Sequence, residues 1–250
     1  MMLRMRAIEE MSMNAWPALQ TVLYDGWVLR FADGYTRRAN SVNPLYSSSL
    51  DAGMKIKTCE ELYASRGLKT VFKITPVTMP ENLDELLAAR DYARVSRTSL
   101  MTLGLDNFTG GSDGEFTTGG RADDGWIGDV CRLNGIKDDD RETMKTMLQC
   151  GVSRSFFVSL AEDGKTAACG LGVLENGYLG LFDIIVDEAV RGRGFGRRLV
   201  KKLLQLGRSE GAHTAYLQVA ADNLPAVNLY ESLGFAGLYE YWYRIPQKQF

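Results

Sequence analysis

The sequence predicts an α/β (α+β) fold made of two tandem domains, each built on a mixed sheet. In the C-terminal half, an apolar stretch over Leu179–Val186 is followed by a glycine-rich turn and then by a segment with helical periodicity. A second strand, turn and short helix follow over residues 217–233. A weaker copy of the same alternation over residues 27–93 indicates that the chain contains this unit twice.

The C-terminal half alternates helices and strands throughout. Its predicted elements are helices over 123–133 and 138–150, hairpin strands over 156–160 and 165–174, a strand over 178–186, a helix after the glycine-rich turn, the strand and helix over 217–233, and a last strand over 237–245. The helix after the turn carries apolar residues at positions i, i+1, i+4 and i+5, namely Leu199, Val200, Leu203 and Leu204. That spacing is typical of a helix with one buried face.

The N-terminal half follows the same plan in a weaker form. We expect a hairpin of strands over 27–31 and 35–42 around Asp33-Gly34, a helix over 50–65, a strand over 71–74 and a helix over 80–90. The alternative is that this similarity reflects only the general alternation of α/β proteins. The sequence predicts domains over 1–108 and 121–250, joined by a glycine-rich linker over 109–120.

The turn after the Leu179–Val186 strand contains three glycines, within the run Arg191-Gly192-Arg193-Gly194-Phe195-Gly196-Arg197. Glycines at a strand-to-helix junction let backbone N–H groups point at an anion, and the helix dipole favours negative charge there. The run fails the dinucleotide fingerprint because Arg197 stands at the last glycine position. Gly164-Lys165-Thr166 fails as a phosphate-binding loop because Ser159 stands where the leading glycine belongs.

The pattern that fits the run is [RQ]-x-x-G-x-G, formed by Arg191, Gly194 and Gly196. The segment over residues 217–235 supplies a second pattern, L-x-V-x-x-x-N-x-x-A-x-x-L-Y-x-x-x-G-F, formed by Leu217, Val219, Asn223, Ala226, Leu229, Tyr230, Gly234 and Phe235. Together the two patterns resemble the signatures of the GNAT acyltransferase superfamily, in their usual order. The resemblance implies two tandem GNAT-like domains, of which the C-terminal one is intact.

The resemblance implies an N-acetyltransferase that moves an acetyl group from acetyl-CoA directly to an amine. The N-terminal domain is then a degenerate copy, because residues 43–49 contain no glycine loop and Leu87 stands where Tyr230 does. The alternative from another class is a coenzyme-A-binding sensor or scaffold without transfer activity. The acceptor amine is not identified by the sequence, and a longer acyl donor remains open.

The resemblance also implies a set of cofactor-binding residues. The turn would bind the pyrophosphate of the coenzyme through Arg191, Gly192, Arg193, Gly194, Phe195, Gly196 and Arg197. The strand end, Ile184, Ile185 and Val186, would pair its backbone with the pantetheine arm by strand addition, and Asn223 would orient that arm. The alternatives are a buried β-branched strand, a solvated basic helix face for Arg197, and an ordinary turn residue for Asn223.

Tyr230 is the candidate general acid, which would protonate the departing thiolate of the coenzyme. An unperturbed tyrosine titrates near ~10 and a thiol near ~8.5, so this transfer is uphill by ~2 kcal/mol unless a modest pKa shift removes the difference. Asp183 is the candidate general base, because Gln218 occupies the position where several GNAT enzymes carry a glutamate. A structural carboxylate at 183 and a water chain as the base remain alternatives.

Composition narrows the class of protein. The 250 residues carry a formal net charge of −2, which gives no electrostatic case for a nucleic-acid partner. The first sixteen residues lack the apolar core of a signal peptide, and no apolar run has membrane-spanning length, so we expect a cytoplasmic protein. Four dispersed cysteines and one histidine predict free thiols and no metal site.

Two clusters of residues remain open in the sequence. Tyr239, Tyr241 and Tyr243 alternate along the last strand, and such a pattern indicates either cross-strand packing or the lining of a pocket. The N-terminal domain contains Arg37, Arg38 and Asn40 in one short stretch. One interpretation is that these side chains bind an anionic or polar substrate; the other is that they face solvent or fix loops.

Overall fold

A computed structural model describes residues 1–247, and these residues form two compact units. Within the described residues, unit 1 comprises residues 1–99, 220–222 and 239–247, and unit 2 comprises residues 100–219 and 223–238. Each unit is a mixed sheet covered by helices, in agreement with the predicted α/β fold. None of the helices in the described residues is long and apolar enough to span a membrane.

Unit 1 is built around a sheet with the order β1-β2-β3-β4-β11. Its elements are α1 (Met2–Ala15), β1 (Gln20–Tyr24), β2 (Trp27–Phe31), β3 (Val42–Pro44), α2 (Ala52–Ala64), β4 (Phe72–Ile74), α3 (Leu83–Ala88), the first part of β5 (Tyr92–Gly104) and most of β11 (Ala236–Pro246). β3 and β4 are parallel, whereas β1–β2, β2–β3 and β4–β11 are antiparallel. The core packs Trp27, Phe72 and Tyr92 edge to face.

Unit 2 is built around a sheet with the order β5-β10-β9-β8-β7-β6. Its elements beyond β5 are β6 (Glu115–Gly119), α4 (Asp124–Asn134), α5 (Asp138–Gln149), β7 (Arg154–Glu162), β8 (Lys165–Glu175), β9 (Tyr178–Val186), the 3₁₀ turn Glu188–Val190, α6 (Phe195–Ser209), β10 (Thr214–Ala220) and α7 (Leu224–Ser232). The apolar face of α6 is buried against the sheet, with Leu199, Val200, Leu203 and Leu204 all inaccessible to solvent.

The units differ from the predicted domains in two respects. Residues 109–120 lie within unit 2 and include strand β6, which pairs antiparallel with β7. Residues from Tyr239 onward belong to unit 1, where β11 pairs with β4 through Trp242↔Ile74. Both differences come from strand pairing between segments far apart in sequence, which local composition does not encode.

The prediction that residues 35–42 form the second strand of an N-terminal hairpin was wrong. Residues 35–41 form turns rather than a strand, because the Asn40 side chain accepts from Ala32 N at 2.7 Å and Gly34 N at 3.0 Å. Local side-chain hydrogen bonds of this kind compete with strand pairing. β2 instead forms its hairpin with β1, around Asp25 and Gly26, which both have positive φ (41° and 82°).

Candidate active site

The glycine-rich turn of unit 2 leads directly into helix α6. Gly192 and Gly194 have φ of 78° and 84°, and Gly194 caps the helix without any side-chain hydrogen bond. A Cβ added at either position meets no atom within 4 Å, so their left-handed backbone rather than crowding requires glycine. The first helical N–H groups, at Phe195, Gly196 and Arg197, have no acceptor within the helix. This helix end is therefore suited to an anion.

Gly196 differs from Gly192 and Gly194, because its surroundings leave little room for a side chain. A Cβ at this position would lie 3.2 Å from Leu229 Cδ2 on α7 and 3.5 Å from Val186 Cγ2 on β9. The first turn of α6 thus contacts both the strand end and the helix that carries Tyr230. The sequence does not predict this role for Leu229, although Leu229 stands one residue before Tyr230 in the second pattern.

The sheet of unit 2 opens beside this turn. The parallel pairing of β9 with β10 runs from Tyr178↔Thr214 to Leu181↔Leu217. Among the described residues, it ends at that pair. β9 nevertheless continues to pair with β8 as far as Ala168↔Val186. The backbone of Ile184, Ile185 and Val186 is therefore paired on the β8 side, while the ladder on the β10 side has ended.

A β-bulge lies at the point where the sheet opens. Between Cys169 and Leu171, β8 advances two residues while β9 advances three, so β9 holds one extra residue. Asp183 has φ of 46°, a left-handed conformation that is uncommon outside glycine and is tolerated best by Asp and Asn. The bulge turns the strand end at the candidate base, and Asp183 is half-buried.

Tyr230 is buried on α7, with 7% of its surface exposed, and its ring packs edge to face on Phe235 with centroids 5.9 Å apart. Burial alone raises the pKa of Tyr230 to about 12. This is opposite in direction to the shift that would make proton donation to a thiolate easier.

The arginines around the turn are engaged by protein groups. Arg191 forms an ion pair with Glu188 at 2.8 Å, and Arg193 forms one with Glu162 at 2.7 Å. Arg197 donates to the Ser232 hydroxyl at 2.7 Å, at the end of α7. Among the described residues, the backbone N–H groups at the start of α6, rather than these side chains, are thus the groups of the turn available to an anion.

Asn223 caps helix α7, where its side-chain oxygen accepts from Ala226 N at 3.3 Å. This capping bond is the turn role that the sequence analysis gave as the alternative for Asn223. The bond uses the side-chain oxygen and not the NH₂ group of the amide. Gln218 lies on β10 just past the last pair with β9 and is half-buried. The structure thus places Gln218 and Asp183 on the two strands that separate.

Three comparisons with known proteins agree with this geometry. A family model described as "Probable histone acetyltransferase Rv0428c C-terminal" matches residues 3–244. A Bacillus subtilis protein named "Uncharacterized N-acetyltransferase YobR" is 30% identical over 247 residues, which cover 97% of this chain and 98% of the relative.

Solved structures share the fold at low sequence identity. A GCN5-related N-acetyltransferase from Kribbella flavida superposes with a TM-score of 0.72 at 14% identity, over 98% of this chain and 96% of the other. A tandem GNAT protein from the clavulanic acid biosynthesis pathway superposes with a TM-score of 0.66 at 15% identity, over 97% of this chain and 89% of the other. The chain therefore belongs to the Rv0428c C-terminal acetyltransferase family of the GNAT superfamily, it is an N-acetyltransferase, and it shares the fold of a tandem GNAT protein.

Proposed function

We propose that unit 2 binds acetyl-CoA and transfers its acetyl group directly to the amine of an acceptor. The observation that carries this proposal is the end of the β9–β10 ladder at Leu181↔Leu217, immediately beside a glycine turn with free helical N–H groups. The unpaired strand edge suits the amides of a ligand, and the adjacent helix N-terminus suits a pyrophosphate. A ligand with amides next to a pyrophosphate therefore fits both.

The turn is assigned to the pyrophosphate. The N–H groups of residues 192–197 are assigned as donors, with the left-handed Gly192 and Gly194 shaping the turn. Arg191, Arg193 and Arg197 contribute positive potential while their side chains remain on Glu188, Glu162 and Ser232. Because Arg191 and Arg193 are exposed ion pairs, their own contribution to stability is small.

The strand end is assigned to the pantetheine arm. Ile184, Ile185 and Val186 offer backbone donors and acceptors on the side of β9 where β10 has diverged. The amide NH₂ of Asn223 is assigned to the same arm, since its oxygen already caps α7. Two chain segments that hold the donor and an amine in one cleft would supply the proximity contribution to catalysis.

Tyr230 is assigned as the group that protonates the departing sulfur. Acetyl-CoA supplies a thioester, whose sulfur leaves as a thiolate that needs a proton. With a pKa of about 12 for Tyr230, transfer to a solvated thiol of pKa ~8.5 is uphill by about 5 kcal/mol. The same burial also raises the pKa of a thiolate in that place, which brings the two values closer.

Asp183 is assigned as the base, either directly or through a water molecule. An alkylammonium titrates near ~10, so the acceptor amine must lose a proton before it attacks at neutral pH. Asp183 is half-buried at the bulge, beside the point where β9 and β10 separate. Gln218 cannot act as a base, because its side-chain amide does not titrate.

The N-terminal unit is proposed to have lost this cofactor site. Leu87 of α3 is fully buried where the corresponding helix of unit 2 carries Tyr230, and the segment between β3 and α2 contains no glycine. Unit 1 then contributes packing or a function of its own.

Calorimetric titration with acetyl-CoA followed by a thiol-release assay against a library of amines tests the proposal. We expect one binding site per chain and thiol release with at least one acceptor. Two sites per chain would contradict the assignment of unit 1, and no binding would contradict the assignment of the turn.

A further inference from the structure

Unit 1 contains a buried cluster of charged and phenolic side chains that the transfer reaction does not use. Glu9 is fully inaccessible to solvent, and its two oxygens bind Lys73 Nζ at 2.5 Å and the Tyr239 hydroxyl at 2.6 Å. Lys73 is 5% exposed and also lies 4.0 Å from the centre of the Tyr241 ring. Charges buried to this extent persist only when they are paired or hydrogen-bonded.

The cations of this cluster outnumber its carboxylates. Arg30 is 3% exposed and donates to the backbone carbonyls of Met13, Trp16 and Arg38, which satisfy its guanidinium without a carboxylate. Glu9 compensates Lys73. Arg38 is the remaining cation: it stacks over Trp16 at 5.2 Å, and within residues 1–247 no carboxylate lies at ion-pair distance from it.

Arg38 lies close enough to two buried phenols for its positive charge to act on them. It lowers the pKa values that Tyr241 and Tyr243 would otherwise have, and it lowers that of Lys73. Burial is the larger effect for both tyrosines and raises the pKa of Tyr243 to about 12. The tyrosines are therefore neutral donors at physiological pH and do not neutralise Arg38.

Two of the buried hydroxyls lack an acceptor. Tyr243 is 4% exposed. The nearby Tyr241 hydroxyl lowers the pKa of Tyr243. No group among the described residues meets the geometry of a hydrogen bond to the Tyr243 oxygen. The Ser12 hydroxyl, one helical turn after Glu9 on α1, is likewise buried with no partner in the described part of the chain. Buried polar groups normally have a partner, so each such group needs an explanation.

We propose that unit 1 binds a small carboxylate ligand, whose oxygens accept hydrogen bonds from the Arg38 guanidinium and the Tyr243 hydroxyl. A carboxylate supplies the missing negative charge and accepts several hydrogen bonds at once. Arg38 is half-buried, so a ligand from solvent has access to it, and the flat Trp16 ring supports the guanidinium from one side. This site lies wholly within unit 1 and does not depend on the assignment of acetyl-CoA to unit 2.

The test measures thermal unfolding of the full-length protein in sodium acetate and in sodium L-glutamate, each matched in ionic strength with sodium chloride. A ligand that binds the folded state raises the midpoint in a saturable way. We expect this rise for the wild type, and about 10- to 100-fold weaker carboxylate binding for Arg38→Gln and Tyr243→Phe, because each removes a donor to a charged group.

Arg66→Gln is the matched control. Arg66 is an exposed cation of the same unit that also stacks on an aromatic ring, at 4.3 Å from the centre of Phe31. We expect its carboxylate binding to equal that of the wild type. The proposal is overturned if neither carboxylate raises the wild-type midpoint beyond the chloride control, or if Arg38→Gln and Tyr243→Phe respond as Arg66→Gln does. Neither measurement uses acetyl-CoA or an acetylation readout.

Discussion

In each unit a strand is followed by a turn and then a helix, but the N-terminus of that helix is capped differently in the two units. In unit 1, Asp51 caps α2, and its carboxylate accepts from Met54 N at 2.9 Å. In unit 2, Gly194 caps α6 with no side chain at all. A protein carboxylate thus occupies the helix end in one unit, while the other leaves it open to an external anion. The cofactor site proposed for unit 2 depends as much on this missing cap as on the glycines themselves.

The polar interior differs as well. Unit 1 buries Glu9, Lys73 and Arg30 in its interior. In unit 2, Thr214 of β10 is the only buried residue of a polar or charged type among the described residues.

Gly196→Glu is expected to have the largest effect, because it should abolish acetyl-CoA binding. The Cβ atom would meet Leu229 and Val186, and the carboxylate would place a negative charge at the position proposed for the pyrophosphate. Calorimetry with acetyl-CoA measures the loss. Gly128→Glu, in α4, adds the same charge where a Cβ meets nothing within 4 Å, and it should bind normally. Wild-type affinity in Gly196→Glu would contradict the assignment of the turn.

Lys73→Met should destabilise the protein by about 3–5 kcal/mol, because it leaves the inaccessible Glu9 carboxylate without its cation. Denaturant unfolding measures the change. Lys57→Met removes a lysine from an exposed pair with Glu61, and it should cost less than about 1 kcal/mol. Equal effects of the two substitutions would show that burial of the Glu9–Lys73 pair has no energetic consequence.

Tyr230→Phe should lower turnover by about 100-fold, since general acid catalysis contributes at least that much. The phenyl ring keeps the edge-to-face contact with Phe235, so the affinity for acetyl-CoA should stay close to that of the wild type. Steady-state kinetics and calorimetry separate the two quantities. A parallel fall in both would indicate that the hydroxyl has a structural role.

Stability should fall as the pH rises from 10 to 12. Tyr230 of unit 2 and Tyr243 of unit 1 both have a folded-state pKa of about 12 against 10.0 in the unfolded chain. Their contribution is complete below pH 10 and is lost as the unfolded phenols ionise first, by up to about 2.7 kcal/mol for each group. Denaturant unfolding between pH 8 and 11.5 measures the slope. Each Tyr→Phe variant should have a shallower slope than the wild type, and unchanged slopes would contradict the burial argument.

Asp51→Ala should have the smallest effect, a loss of about 1 kcal/mol from the removed helix cap. It should leave acetyl-CoA binding and its stoichiometry unchanged, because the cap belongs to the unit without a glycine turn. Thermal unfolding and calorimetry measure both. Appearance of a second acetyl-CoA site in Asp51→Ala would mean that the cap alone closes the site in unit 1.

The elements around the glycine-rich turn of unit 2 follow closely from the sequence because their signals are local. The apolar stripe of α6, the glycines before it and the Asn-Leu-Pro start of α7 act within a few residues, and the observed bounds differ from the predicted ones by only a few positions. The end of the β9–β10 ladder was expected from the family resemblance, whereas the bulge at Asp183 was not, since a left-handed Asp within an apolar strand has no local signature.

The errors in unit 1 have physical causes of two kinds. The hairpin was assigned to Asp33-Gly34, although Asp25-Gly26 carries the same turn signal and is the one that closes β1 onto β2. The C-terminal strand was assigned to the wrong unit because its partner, β4, lies about 170 residues away in sequence, and pairing over such a separation is decided by tertiary packing. The Glu9–Tyr239 contact has the same origin and no sequence signal.

The placement of β11 in unit 1 has a consequence for how the chain is made. A ribosome releases residues 100–238, which hold all of unit 2, before it releases Tyr239, Tyr241 and Tyr243. Until those last residues emerge, β4 lacks its β11 partner and Glu9 lacks the Tyr239 hydroxyl. The unit that is synthesised first therefore completes its folding last, and a chain that stops before Tyr239 has all residues of unit 2 but an unfinished unit 1.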